Sequence, residues 1–132
     1  MIVVLDASAA VGVTLMQPQA KPLISHLETA SLVLTPDLFV SEVCNAFWKY
    51  RKANLLDREQ AEQLLAMTLE LPDRIESAAD CYQEAFALAV RHQHPFYDTL
   101  YLVLARRHAA TLLTIDKRLV ALANSLEIQV AM

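Results

Sequence analysis

The chain contains a single glycine, Gly12, in 132 residues; average usage would give roughly nine. A G-x-G-x-x-G dinucleotide loop and a G-x-x-x-x-G-K-[ST] phosphate loop both need several glycines, because only that residue lets the backbone close tightly around a phosphate. Both nucleotide-binding classes are therefore excluded. Cysteine is almost as scarce. Cys44 and Cys81 stand far apart with no C-x-x-C spacing, and both are expected to be free, buried thiols of a reducing compartment. The opening Met1–Asp6 segment has no basic stretch, and Asp6 cuts its apolar run short, so no signal peptide is expected. No apolar run approaches the ~18 residues of a membrane helix. The expectation is a soluble cytoplasmic domain that binds no membrane. Positive charge is also in deficit, with 11 Lys and Arg against 15 Asp and Glu for a net −4. A protein that grips duplex DNA by neutralising phosphates shows the opposite balance.

What the sequence has in quantity is apolar residues, at 55% against a usual ~45–50%. A chain of this length can bury roughly 65–70% of its unfolded surface, so it needs no metal or disulfide to fold. No repeat, low-complexity segment or linker divides it, and residues 1–132 read as one domain. Ile2–Leu5 is a continuous β-rich run expected to be buried on both faces. Ala7–Met16 reads as a helix, and Pro18 opens a second through Thr29. Ser31–Thr35 is a strand stopped by Pro36, and Asp37 is expected to cap a long helix to Lys52. Asp57 with Gln60 forms a capping-box signal for a helix to Leu69. Arg74–Glu76 is a short strand or a turn, Asp80–His92 is amphipathic, and Pro95 opens a helix to His108. Thr111–Ile115, Lys117–Ser125 and Glu127–Val130 then read as strand, helix and strand. Short β runs alternating with helices predict an α/β domain, with a central parallel sheet of four to five short strands and about seven flanking helices.

A few carboxylates break the pattern, since an acid beside an apolar strand or on an apolar helix stripe is costly unless compensated. Asp6 ends the first strand and Asp116 ends Thr111–Ile115, the strand ends where open α/β sheets bind ligands. Each taken alone would also serve as a helix N-cap. Glu42 lies inside its helix on the side of Phe39 and Ala46, with Asn45 one turn on. Asp98 follows Pro95 and shares a face with Tyr101, Leu102 and Ala105. A helix dipole would favour either acid without any function. Together, however, such acids at one sheet edge repel one another and raise their own pKa values unless a cation intervenes. All-oxygen ligands suit Mg²⁺ or Mn²⁺ rather than zinc. His92 and His94 lack metal-ligand spacing and are expected at the surface.

The segments V-V-L-Asp6-A-Ser8, Ser41-Glu42-V-C-Asn45-A, Asp98-T-L-Y-L-V-L-A and L-L-Thr114-I-Asp116 resemble, in order and spacing, the PIN-domain family, and within it the single-domain VapC-type toxins. The resemblance spans essentially the whole chain. It implies a three-layer PIN-like fold and a Mg²⁺- or Mn²⁺-dependent endoribonuclease with one or two ions per site. Asp6, Glu42, Asp98 and Asp116 would be the catalytic and metal-holding acids, with Ser8, Asn45 and Thr114 in support. It further implies RNA as substrate, a VapB-type antitoxin as partner, a homodimer, and cleavage leaving a 3′-hydroxyl and a 5′-phosphate.

RNA would need cationic contacts. Lys49, Arg51 and Lys52 end the Glu42 helix, Arg106 and Arg107 end the Asp98 helix, and Lys117 and Arg118 follow Asp116. The first two groups equally complement helix C-termini. Tyr50 could stack on a splayed base, whereas Trp48 is expected in the core. Two other functions fit less of the sequence. One is a catalytically silent module of the same fold that binds RNA or a protein. The other is a phosphotransferase with Asp6 as nucleophile, whose usual second acid two residues on is here Ser8. Removing the four acids from the fifteen leaves eleven, equal to the number of Lys and Arg. The excess negative charge thus equals the proposed metal site, and it no longer argues against RNA.

Overall fold

The computed structural model describes Met1–Ala131; Met132, the last residue of the expected domain, lies outside the described residues. Five strands, β1 (Ile2–Leu5), β2 (Leu32–Pro36), β3 (Arg74–Glu76), β4 (Thr111–Leu113) and β5 (Val130–Ala131), form one sheet in the order β3-β2-β1-β4-β5. Every pairing is parallel. The helices are α1 (Ala7–Thr14), α2 (Ile24–Thr29), α3 (Leu38–Lys52), α4 (Arg58–Leu69), α5 (Tyr82–His92), α6 (Phe96–Arg107) and α7 (Lys117–Ser125). None of them is long and apolar enough to cross a membrane.

Alternation along the central strands builds three layers. Val3 and Leu5 of β1 pack with Val33 and Leu113 against Phe39, Val43 and Phe47 of α3 and the alanines of α1. Val4 points the other way, with Leu34 and Leu112, into Tyr101 and Leu102 of α6 and Leu119 and Leu122 of α7. The register Val3↔Val33 and Val4↔Leu34, with Leu5↔Leu113 on the other side, keeps those faces in step. Covering both faces is what makes β1 an unbroken apolar run. Phe39 and Phe47 are essentially inaccessible, each contributing on the order of 1.5–3 kcal/mol of transfer energy. The chain winds outward from β1 through β2 to β3, then returns to place β4 on the other side of β1. The β1–β4 junction is thus the topological switch point, where loops diverge and leave a crevice.

Several boundaries differ from the sequence expectation. The helix from Pro18 is a 3₁₀ turn over Pro18–Leu23 followed by the short α2, because Pro22 inside it removes an amide donor. β2 runs through Pro36, which pairs with Glu76 at its last position. Asp37 does not cap α3: it is already helical, and its Oδ1 accepts from the Ala78 amide at 3.2 Å, tying the loop after β3. A 3₁₀ turn over Ala78–Asp80 precedes α5. β4 stops at Leu113, and β5 begins only at Val130 because Glu127 is left-handed at φ 59°. The α4 capping box is complete, with Asp57 Oδ1 accepting from Gln60 N at 2.8 Å and Gln60 Oε1 from Asp57 N at 3.0 Å.

Candidate active site

Asp6 leaves β1 at the switch point and is 4% exposed. Its Oδ1 accepts from the Ala9 amide and from Ser8 Oγ, each at 2.8 Å, and Thr114 Oγ1 donates to Oδ2. The two hydroxyls also meet, at 3.3 Å, and each is fixed by the chain beyond β4. Ser8 Oγ accepts from Ile115 N at 3.2 Å, and Thr114 Oγ1 accepts from Asp116 N at 3.0 Å. Asp6 therefore caps α1 and also binds β1 to the end of β4. Burial pushes its carboxyl up to about 7 against the lowering effect of these donors, with the Glu42 charge adding to the rise.

Glu42 comes from the second turn of α3 and accepts from Tyr101 Oη at 2.6 Å. Its carboxyl is also raised, first by burial, then by the charges of Asp98 and Asp116, with the Tyr101 bond opposing. The same contact and burial push the Tyr101 hydroxyl far above its usual value, so it stays protonated as a donor. Asp98, in the first turn of α6, has Oδ2 2.8 Å from His94 Nε2. Asp116 caps α7, accepting from Arg118 N at 2.9 Å and Leu119 N at 3.4 Å. Asp6 thus feels the charge of Glu42, and Glu42 those of Asp98 and Asp116, so acids from four separate segments approach one sheet edge. Among the described residues no lysine or arginine forms an ion pair with any of the four.

Among the described residues, no three His, Cys, Asp or Glu side chains stand close enough to hold one metal ion between them. Each carboxylate is instead satisfied locally, by a helix cap, a tyrosine, a histidine or two hydroxyls. The donor set still fits a hard divalent cation in its chemistry. It is all oxygen, the neighbouring acids add to the rise at Asp6 and Glu42, and that cost is what a cation removes.

Beside Glu42 a cleft of about 420 Å³ opens between α1 and α3. Asn45 and Lys49 line it along the same helix face as Glu42, and Gln17 and Tyr50 close its far side. Of the other basic candidates, Lys117 and Arg118 are exposed directly after Asp116. Arg51 bonds Asn54 Oδ1 at 3.1 Å, and Lys52 sits 5.1 Å from the Trp48 ring centre. Arg106 and Arg107 are not beside the acids' edge but are held by Glu84 of α5, at 2.6 and 3.0 Å.

Tyr101, His94 and Gln17 were not among the site residues expected from sequence. Tyr101 reads as one more apolar position of α6. His94, expected at the surface, has a side chain only 9% exposed, and the His92 Nε2 is buried without a partner. The His94–Asp98 spacing of four was the available signal, obscured by the proline between them. Trp48, expected in the core, is 56% exposed. Cys44 is half-buried and Cys81 buried, both free.

A family model described as PIN domain matches residues 3–125. The chain is similar to Ribonuclease VapC3 of Pyrobaculum aerophilum, 31% identical over 121 residues that make up 90% of this chain and 92% of that protein. Its fold is similar to the crystal structure of PAE2754 from Pyrobaculum aerophilum, with a TM-score of 0.73 at 24% identity, covering 92% of this chain and 79% of that one. It is also similar to VapBC2 from Rickettsia felis bound to a DNA fragment from their promoter, with a TM-score of 0.64 at 17% identity, covering 98% and 97%.

Proposed function

The chain belongs to the PIN domain family, and from that membership we propose that it is a Mg²⁺- or Mn²⁺-dependent endoribonuclease, the toxin of a VapBC-type toxin–antitoxin pair. One observation carries the reading. Asp6, Glu42, Asp98 and Asp116 come from four separate segments to one edge of a parallel sheet, where Asp6 and Glu42 are held above the usual carboxylate range. The similarity to a protein named a ribonuclease points the same way.

In this reading Asp6, Glu42, Asp98 and Asp116 are the residues that would hold one or two divalent ions. A bound ion would lower the pKa of an attacking water and stabilise charge on the phosphate oxygens. The remaining work belongs to the chain's own residues. Ser8 and Thr114 fix both oxygens of Asp6, so its orientation is set before any ligand arrives. Tyr101 does the same for Glu42 and His94 for Asp98. Asp116, tied to the α7 amides through Oδ1, would contribute a further carboxylate oxygen to hold an ion or orient water. Asn45 faces the cleft beside Glu42 as a neutral hydrogen-bonding group. Lys49, Lys117 and Arg118 supply positive charge around the acids for the RNA backbone.

The resemblance of the fold to VapBC2 supports an antitoxin partner, which would bring a basic side chain against the acids, and the reading includes a cytoplasmic homodimer. The deciding experiment incubates the purified protein with structured RNA and Mg²⁺ or Mn²⁺, beside Asp6→Asn and Asp98→Asn. Wild type cuts and both variants lose at least a hundredfold. Equal cleavage by all three would sink the proposal.

A further inference from the structure

We propose that the cleft between α1 and α3 is a one-nucleotide subsite, taking a single unstacked base of single-stranded RNA against the Gln17–Tyr50 pair with its phosphate toward Lys49. The choice of RNA as ligand rests on the nuclease reading; the subsite itself rests on the construction of the cleft.

That construction is rigid. The Tyr50 ring packs 6.3 Å from the ring of Phe47, which is 2% exposed, so its hydroxyl end is directed outward from a fixed base. Gln17 Nε2 donates to that hydroxyl at 2.9 Å, which leaves the Tyr50 proton available to a ligand. Gln17 is itself pinned. Met16 turns left-handed at φ 56° after α1, and the Gln17 amide folds back onto the Gly12 carbonyl at 2.9 Å. Glycine suits this close approach: a Cβ on Gly12 would stand 2.8 Å from the Ala20 Cβ and 3.4 Å from Gln17 Oε1. The one glycine of the chain thus lets the Gln17 segment lie against α1 at the cleft.

The cleft's chemistry selects the occupant. Its floor is apolar, from Ala7, Val11, Ala46 and Ile115, which suits the face of a base. Its rim converges a phenol, an amide from Gln17 and another from Asn45, which suits a base edge. A largely apolar concavity of some hundreds of Å³ with few fixed polar groups is what a small planar ligand requires. Glu42, Asn45 and Lys49 follow one face of α3, so Lys49 lies about 10 Å along the axis from Glu42. Charge therefore passes from the acids, where the scissile phosphate would sit, to a cation at the far end. Paired RNA keeps its base edges within its grooves and cannot enter such a site, whereas splayed bases can.

Two measurements test this on the full chain. In the first, wild type, Gln17→Ala and Tyr50→Phe cut single-stranded RNA of randomised sequence with Mn²⁺, and the product ends are sequenced. Wild type should favour one base at one position beside the cut, and both variants should lose that preference with a drop of about tenfold or more in kcat/KM on the favoured RNA. The Mn²⁺ concentration for half-maximal rate should not move. Absence of a preference in wild type, or its survival in both variants, overturns the subsite. In the second, metal-free protein is titrated with each nucleoside 5′-monophosphate and followed by NMR. Saturable shifts should gather at Gln17, Asn45, Lys49 and Tyr50, and they should vanish in Gln17→Ala. Shifts elsewhere or none overturn it. If wild type cuts no RNA with either metal, the nuclease reading fails, and the nucleotide titration then decides the subsite independently.

Discussion

His94 supplies Asp98 with a hydrogen bond that the backbone cannot. In a capping box the third residue of a helix reaches back to the N-cap amide, as Gln60 does at the start of α4. Asp98 holds that third position in α6, but its N-cap is Pro95, which has no N–H. The imidazole of His94, one residue earlier, takes over at 2.8 Å. Only Oδ2 is used, and among the described residues no hydrogen bond engages Oδ1. Partners that orient a metal-holding group are typically worth 10–100-fold in affinity or activity. His94→Ala is therefore expected to lower cleavage by about that factor and to weaken Mn²⁺ binding measured by calorimetry. His94→Gln, which keeps a donor, should recover most of both. Equal Mn²⁺ affinity in the alanine variant and wild type would refute the assignment.

Asp6 sets a pH dependence of stability in the metal-free protein. Its carboxyl is at about 7 in the fold and near ~3.9 in an unfolded chain. Between those values the folded state binds more protons, so rising pH disfavours it. The stabilisation is complete below about pH 4 and is lost as pH climbs through about 7, a difference on the order of a few kcal/mol. Asp6→Asn carries no such titration. Denaturation midpoints of wild type should fall relative to the variant from pH 4 to pH 8, and Mn²⁺ should restore wild type alone. A constant gap across that range would contradict the burial argument.

Tyr101 bears on Glu42 in the opposite sense, because its bond lowers a carboxyl that burial raises. Tyr101→Phe keeps the packing of a residue only 1% exposed and removes the donor 2.6 Å from Oε1. The Glu42 carboxyl should titrate higher still in the metal-free protein, as followed by NMR. Cleavage should fall by about tenfold while stability drops by roughly 1–3 kcal/mol. A Glu42 titration unchanged in the phenylalanine variant would remove Tyr101 from the site.

The sequence exposed what depends on local chemistry and concealed what depends on packing between distant segments. The β1 run, the Asp57–Gln60 box and the four misplaced acids could all be read because a strand's burial, a cap and an acid's cost are set within a few residues. Tyr101 was hidden because a tyrosine on an apolar face looks like core until Glu42, 59 positions away in sequence, is brought to its hydroxyl. Trp48 misled for a geometric reason. It lies about 100° around α3 from Phe47, off the Phe39–Val43–Phe47 stripe, so a large aromatic ends in solvent. Arg106 and Arg107 looked available for RNA because nothing local showed that α5 would bring Glu84 against them.

That difference among the basic residues is measurable. Lys117→Ala and Arg118→Ala should each weaken RNA binding and reduce the slope of log affinity against log salt by about one. Arg107→Ala should leave the slope unchanged and lower the melting temperature, since its guanidinium joins Glu84 to the Asp80 carbonyl at 3.0 and 2.8 Å. The bridge is 44% exposed on the arginine side, so the loss should stay within about 1 kcal/mol. A salt slope reduced by Arg107→Ala would return that residue to the RNA-binding surface. The RNA for this test is a non-cleaved substrate in metal-free buffer, which separates binding from turnover.

Gly12→Ala sets two effects of known sign against each other. Alanine in a helix interior is favoured over glycine by about 1 kcal/mol. Against that, the new methyl would stand 2.8 Å from the Ala20 Cβ, and Ala20 is fully buried, so neither atom can turn away. Overpacking of this kind costs about 1–3 kcal/mol, and it should win. The variant is expected to melt a few degrees lower than wild type. If the 3₁₀ segment yields instead, it pulls on Gln17, whose carbonyl accepts from the Ala20 amide at 3.0 Å. Gly12→Ser, with a larger side chain at the same point, should be worse on both counts. A variant that melts at or above wild type would show that the contact with Ala20 is soft, and that helix propensity governs this position.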